Sequence, residues 1–256
     1  MEPRQLKSIR RWFEDYTSGY YRQCGKLHQL ELKERHSRRV AENAGLLADD
    51  LDWSDSDRCL AVAAGLLHDI GRFPQYRDHG TFYDFKSVDH GDRGEQALRE
   101  DFPKDLLTPK EFELIAMTIR EHNKKDLPQL PPEDLAMLRI VKDSDKIDIY
   151  KVVREHIQRG EQDAIYPGLG PEGELSLPII EGLLKDKKAR YDQLRTLSDV
   201  LLFQLCWVHD MAHRQSTKLL WNRGDLEWLI DRIPSTPEVK PVISQVMEEI
   251  SRATGI

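Results

Sequence analysis

AAGLLHDIGR, residues 63–72, reads as the end of a buried helix that carries an imidazole and a carboxylate into apolar surroundings. Leu60, Ala64 and Leu67 repeat at helical spacing and form a core-facing row, and His68 and Asp69 follow directly on it. Outward from this segment, apolar residues recur three and four apart along nearly the whole chain, while alternating runs rich in β-branched residues are scarce. The fold class is therefore all-α. Helices are expected over 4–22, 31–51, 55–70, 92–101 and 109–122, and from Pro131-Pro132 to 158, with Ser54 or Asp55 as an N-cap and Thr108-Pro109 as a helix start. Further helices are expected near 179–194, 196–220 and 237–252. Between Gly160 and Pro178 lie four Gly and three Pro, a composition that reads as a loop or flap. Residues 71–91 mix aromatics, charges and Gly and read as a long connection, the first place to look for substrate contacts.

Several His and Asp residues sit on apolar stripes rather than on polar faces. His36 heads a row with Val40, Ala44, Leu47 and Leu51, so it points inward. Ile115 and Ile119 align with His122, and Asp145 shares a face with Leu138, Val141, Ile149 and Val152. A buried, unpaired carboxylate is costly enough that it must be neutralised, paired or metal-bound. Singly, each inward histidine is an ordinary hydrogen-bonded core group. Taken together, three imidazoles and two carboxylates on four helices are the donor set of a transition-metal site.

The 256 residues carry a formal net charge of -7, with 39% hydrophobic and 32% charged residues, five Trp and eight Tyr. That composition is ordinary for a folded globular chain of one compact unit and lacks the basic excess of a generic nucleic-acid binder. An anionic substrate would have to be met by local positive charge, which bound divalent cations supply. Cys24, Cys59 and Cys206 are odd in number and far apart, so neither a disulfide framework nor a cysteine zinc site is indicated. The charged, amphipathic start and the absence of a long apolar run lead to the expectation of a cytoplasmic protein without a membrane partner.

RHSRRV (His36), LLHDIGR (His68, Asp69) and KDSDKIDIY (Asp145) together resemble the HD-domain superfamily of metal-dependent phosphohydrolases, in the right order. KSVDHGDRG (His90) and IREHNK (His122) resemble the two extra histidines of its binuclear members, and the whole chain is similar to a bacterial hydrolase group with a FxQY...GTFxDxKSxDH loop. The resemblance implies a single HD-type domain over 1–256, a helical bundle with its metal-binding core at about 30–155 and added C-terminal helices over about 179–256. It implies two divalent transition-metal ions (Fe, Mn, Co, Ni or Zn): His36, His68, Asp69 and Asp145 would hold one, and Asp69 would bridge to a second held by His90 and His122. A hydroxide between the ions would then attack a phosphate ester or anhydride of a small nucleotide or phosphorylated metabolite.

Around these positions, Arg72 and Lys86 are the first choices for phosphate contacts, ahead of Lys124 and Lys146. Phe73, Tyr76, Phe82 and Phe85 are candidates to wall a base or sugar. Asp148, near the face of Asp145, is a candidate to orient a ligand histidine, whereas Asp143 is expected in solvent. His209-Asp210 with His213 repeats the dipeptide without matching carboxylates and reads as packing, and His79 as an exposed loop residue. Two other functions fit the same ligand set: a diiron oxygenase of the superfamily, and a non-catalytic nucleotide-sensing module. A homodimer is left open.

Overall fold

The computed structural model describes residues 1–25 and 27–256. Among these residues there are helices and turns but no strand, only an isolated bridge between Gly170 and Thr196. The all-α reading holds. The chain divides into two compact units, Met1–Asp148 and Ile149–Ile256, with the boundary inside a helix.

The first unit contains α1 (Pro3–Cys24), α2 (His28–Asp50), α3 (Asp55–Leu67), α4 (Arg72–His79), α5 (His90–Asp101), α6 (Pro109–Glu121) and the start of α7 (Pro132–Gln158). Ser54 caps α3 by accepting from the Asp57 amide, and Thr108 with Glu111 forms a capping box on α6. Leu30, Val40, Ala44 and Leu47 of α2 are fully buried together with Ala61, Ala64 and Leu67 of α3, which accounts for the close packing of that pair. Phe73 belongs to this core, edge-on to Phe13 and Tyr16, and does not wall a ligand.

Two boundaries differ from the sequence reading for physical reasons. The segment 71–91 is not one loop, because residues 72–79 form α4, closed by Gly80 in the left-handed conformation, and Asp84–Lys86 forms a 3-10 turn. Its mixed composition hid a short helix whose buried face is only Phe73, Pro74 and Gln75. α5 begins at His90 rather than 92, because the Asp89 carboxylate accepts from the Gly91 and Asp92 amides and fixes the first turn there.

The second unit contains the end of α7 and α8 (Leu177–Asp186), α9 (Leu197–Leu205), α10 (Arg214–Asn222), α11 (Asp225–Arg232) and α12 (Lys240–Thr254). The single helix expected over 196–220 is interrupted by a 3-10 turn at Cys206–Asp210, and α11 carries no signal that the reading used. α12 packs on α10 and on that turn through Val242, Val246 and Ile250. No described helix is long and apolar enough to cross a membrane.

Candidate metal centre

The six residues singled out by the sequence converge in the first unit. His36 projects from α2, His68 caps the C-terminus of α3 with Asp69 next to it, and His90 opens α5. His122 caps the C-terminus of α6, and Asp145 lies on α7. His36, His68, Asp69, His90 and His122 are all buried, while the Asp145 side chain is 22% exposed and marks the open side. Ligand atoms fall into three overlapping groups within 4.8 Å: His36, His68 and Asp69; His68, His122 and Asp145; Asp69, His90 and His122.

Glycine makes the convergence possible. A β carbon on Gly71 would lie 2.2 Å from the His90 carbonyl oxygen, and one on Gly91 would lie 2.6 Å from the Arg120 carbonyl oxygen. The first turn of α5 is thus sandwiched between the chain leaving Asp69 and the end of α6, and only residues without a side chain fit there.

Asp69 divides the imidazoles into two pairs. Its Oδ2 lies 3.7 Å from Nε2 of both His36 and His68, and its Oδ1 lies 3.5 Å from Nε2 of His90 and 3.7 Å from Nε2 of His122. Asp145 Oδ1 adds to the first pair, 3.0 Å from His36 Nε2 and 3.8 Å from His68 Nε2. Within the pairs the Nε2 atoms are 3.2 Å apart for His36 and His68 and 3.1 Å apart for His90 and His122. Donors ~2.1 Å from a common cation are separated by roughly 3.0–3.4 Å along octahedral or tetrahedral edges. The short members of the set match that spacing.

The Nδ1 atoms all point outward to fixed partners: His36 to Asp148 Oδ2 at 2.7 Å, His68 to the Gly65 carbonyl at 2.7 Å, His90 to Asp84 Oδ2 at 2.6 Å and His122 to the Ile119 carbonyl at 2.7 Å. A carbonyl only accepts, so Nδ1 of His68 and His122 donates and Nε2 is the nitrogen that each ring turns inward. Burial lowers His68 to about 3 and His90 to about 4, which keeps both rings neutral near pH 7. In the second pair the Nε2 atoms of His90 and His122 face each other at 3.1 Å, a spacing that suits two donors to one cation. This is the donor chemistry of metal-bound histidine, with the outer nitrogen tied and the inner one free to bind.

Carboxylates and cations complete the surroundings. Burial works to raise Asp69, but the positive charges of Lys33 and Arg72 outweigh it and hold the carboxyl well below its ordinary range. Lys33 Nζ donates to Asp69 Oδ2 at 2.8 Å, and Arg72 Nε lies 3.4 Å from Oδ1. For His36, burial opposes protonation, yet the bonds to Asp145 and Asp148 prevail and lift it to about 9. Asp148 is fixed in turn by Arg39, whose Nε and Nη2 donate at 2.5 and 2.9 Å.

Asp148 thus stands where the reading placed it, behind His36. Asp143 is 1% exposed, not solvated as expected: the helix buries it on the side of α7 where Ile140, Ser144 and Ile147 also lie. Arg72 is next to Asp69 but also donates to the Phe82 carbonyl and to Asp84 and Gln75. Lys86 is not brought to the cluster. It is exposed, with its ammonium 5.2 and 5.6 Å from the ring centres of Tyr83 and Phe85. Phe85 is 80% exposed, while Phe82 lies near both Lys33 and Arg72, 5.7 and 5.9 Å from their charged groups. Lys124 is held by Asp89 and Asp92, and His79 is exposed. His209, in the second unit, lies 3.8 Å from Glu249 and joins no metal-binding group among the described residues.

The reading missed Lys33 and Asp84. Lys33 lies three residues before His36, on the same helix face, a spacing that foreshadows its contact with Asp69. Asp84 lies in a turn, where no periodicity marks direction.

Residues 34–150 match the family model of the HD domain. No curated protein and no solved structure matches the chain.

Proposed function

We propose that the chain, whose residues 34–150 match the HD-domain family model, is a metal-dependent phosphohydrolase that cleaves a phosphate ester or anhydride of a small nucleotide or phosphorylated metabolite. The observation that carries this reading is the division of Asp69, one carboxylate oxygen toward each histidine pair. His36, His68, Asp69 and Asp145 would hold one divalent transition-metal ion, and Asp69, His90 and His122 a second. Bound there, two such ions supply positive charge for phosphate oxygens and lower the pKa of water toward ~7.

The chain's own residues prepare this chemistry. The four Nδ1 contacts aim Nε2 inward, so ring orientation is set before any ligand arrives. Asp145 and Lys33, with side chains 22% and 20% exposed, mark where the centre opens. Lys33 and Arg72 place fixed positive charge beside Asp69, suited to equatorial phosphate oxygens. Phe82, near both of these cations, offers an apolar face to the non-phosphate part of a substrate.

The test begins with metal analysis of protein purified without chelators or metal-affinity tags. A panel of phosphomonoesters, nucleoside triphosphates and cyclic dinucleotides is then assayed anaerobically with Mn2+, Fe2+, Co2+ or Ni2+. Turnover that falls by at least ~10²-fold in Asp69→Asn is expected. Two bound cations with no turnover on any member would overturn the reading, and oxygen consumption in place of hydrolysis would assign the centre to an oxygenase.

A further inference from the structure

The two histidine pairs are backed very differently. Behind His36 stands Asp148, 1% exposed and fastened by two Arg39 bonds, and behind His68 and His122 stand helix carbonyls. Behind His90 stands Asp84, whose side chain is 33% exposed and which belongs to a turn in which none of residues 81–89 is buried. A segment without buried apolar side chains has little holding it except its polar contacts.

Those contacts converge on Asp84. Its Oδ2 accepts from His90 Nδ1 at 2.6 Å, and its Oδ1 accepts from Arg72 Nη1 at 2.8 Å and Gln75 Nε2 at 2.9 Å. The same two donors hold the middle of the turn, where Arg72 Nη1 reaches the Phe82 carbonyl at 2.6 Å and Gln75 Nε2 reaches Ser87 Oγ and the Val88 carbonyl at 2.9 Å, while Asn123 and Lys124 hold its end at Asp89. Gln75 is itself 1% exposed, so the clasp has a fixed base in α4. One carboxylate thus joins the fold of an exposed turn to the direction of a buried imidazole.

We propose that Asp84 is the positioning residue of the His90–His122 half of the centre, and that through it cation binding in that half and ordering of the 81–89 turn depend on each other. The inference rests on the two-cation reading above. Linkage is reciprocal: if a cation on His90 favours the ring orientation that Asp84 holds, it favours the ordered turn by the same free energy. The His36 half is backed by buried groups on helices and has no such dependence. The half-sites therefore differ in kind, one built into the helices and the other conditional on a surface turn that also carries Tyr83, Phe85 and Lys86 outward.

Cobalt titration, followed by absorption and by metal content after desalting, is run on wild type, Asp84→Asn and Asp84→Glu, with amide hydrogen exchange of peptides covering 81–89. Wild type is expected to take up two ions and to slow exchange in the turn as the second binds. Asp84→Asn keeps the first ion, binds the second ~10–100-fold more weakly and leaves turn exchange unchanged, whereas Asp84→Glu restores most of both. Two ions bound at wild-type affinity by Asp84→Asn, or wild-type turn exchange indifferent to the second ion, would overturn the inference and leave the proposed function standing. Wild type that binds no cation overturns the proposed function itself. Because the wild-type exchange measurement involves no substitution, the outcome does not hang on whether a variant folds.

Discussion

Alanine at position 71 tests the packing that creates the centre. Its β carbon would lie 2.2 Å from the His90 carbonyl oxygen, 2.5 Å from the Gly94 nitrogen and 2.8 Å from Gly94 Cα. All three are backbone atoms of α5, so no side chain can swing away. Restoring ordinary contact distances of ~3.5 Å requires a shift of about 1 Å between the two segments. The far side of α5 offers no slack, because Gly91 already stands where a β carbon would meet Arg120 and Asn123 at 2.6 Å. Overpacking of this kind costs about 1–3 kcal/mol, or roughly 3–10 °C in melting temperature for a unit of this size. Metal ligands tolerate displacements of only ~0.2 Å, so the larger effect falls on His90 and the second cation, and kcat/KM drops by ~10²-fold or more. His36 on α2 and Asp145 on α7 are outside the disturbed contact, so the first cation is weakened less than the second. Thermal melts, cobalt stoichiometry and steady-state kinetics measure the three effects. Two cations bound at unchanged affinity by Gly71→Ala would refute the claim that this glycine contact delivers His90.

Asp148→Ala removes the buried carboxylate that both Arg39 and His36 bond and is expected to lower stability by about 3 kcal/mol in urea melts, more than Asp148→Asn, which keeps an acceptor. Chelation removes ligands that bind only the folded chain; at cation concentrations ~100-fold above Kd their return contributes about 2.7 kcal/mol, so the melting temperature should rise on the order of 5–10 °C when Mn2+ or Co2+ is added back. Lys33→Ala is expected to reduce kcat/KM at least ~10-fold while Lys86→Ala changes it less than ~3-fold, and the reverse order would return Lys86 to the site. In the cation-free chain His36 is raised from 6.5 to about 9, so its protonated form contributes stability that is fully present below pH 6.5 and lost as pH rises through about 9. Melts of chelated wild type and His36→Gln across that window check this, and parallel profiles for the two proteins would contradict it.

Most of the centre was legible because helical periodicity reports direction. His36, His122 and Asp145 each interrupt an apolar row, and a side chain in such a row has few places to go but inward. Asp148 followed from the same geometry, three residues beyond Asp145 on α7. Asp143 did not, because the helical wheel assigns a face without saying how far the neighbouring packing wraps around it, and here the wrap buries it. The region 71–91 was legible as functional but not as structure. α4 buries too few residues to show a period, and the N-cap at Asp89 looks like any loop aspartate until its two amide contacts are seen. His90 itself rested on family resemblance alone, since an imidazole at the first position of a helix preceded by a turn has no stripe to lie on. The directions of Lys86 and Phe85 were not legible for the same reason: within a turn, adjacent residues such as Asp84 and Phe85 point to different environments, and spacing does not say which.

The charges around the centre explain how such a cluster stays folded before cations arrive. Asp69, Asp145 and Asp148 are each held below the ordinary carboxylate range despite their burial, and Asp84 likewise. Facing them are Lys33, Arg39, Arg72 and the protonated His36, so anionic groups meet cationic groups one for one. Two divalent cations entering a balanced set leave it strongly positive unless charge departs or is added. His36 can bind a cation through Nε2 only after losing its second proton, which removes one positive charge. The remainder has to be met by anions from outside. On the proposed two-cation reading, a locally positive centre in a chain of net charge -7 favours an anionic substrate, in keeping with the proposed hydrolysis of a phosphate.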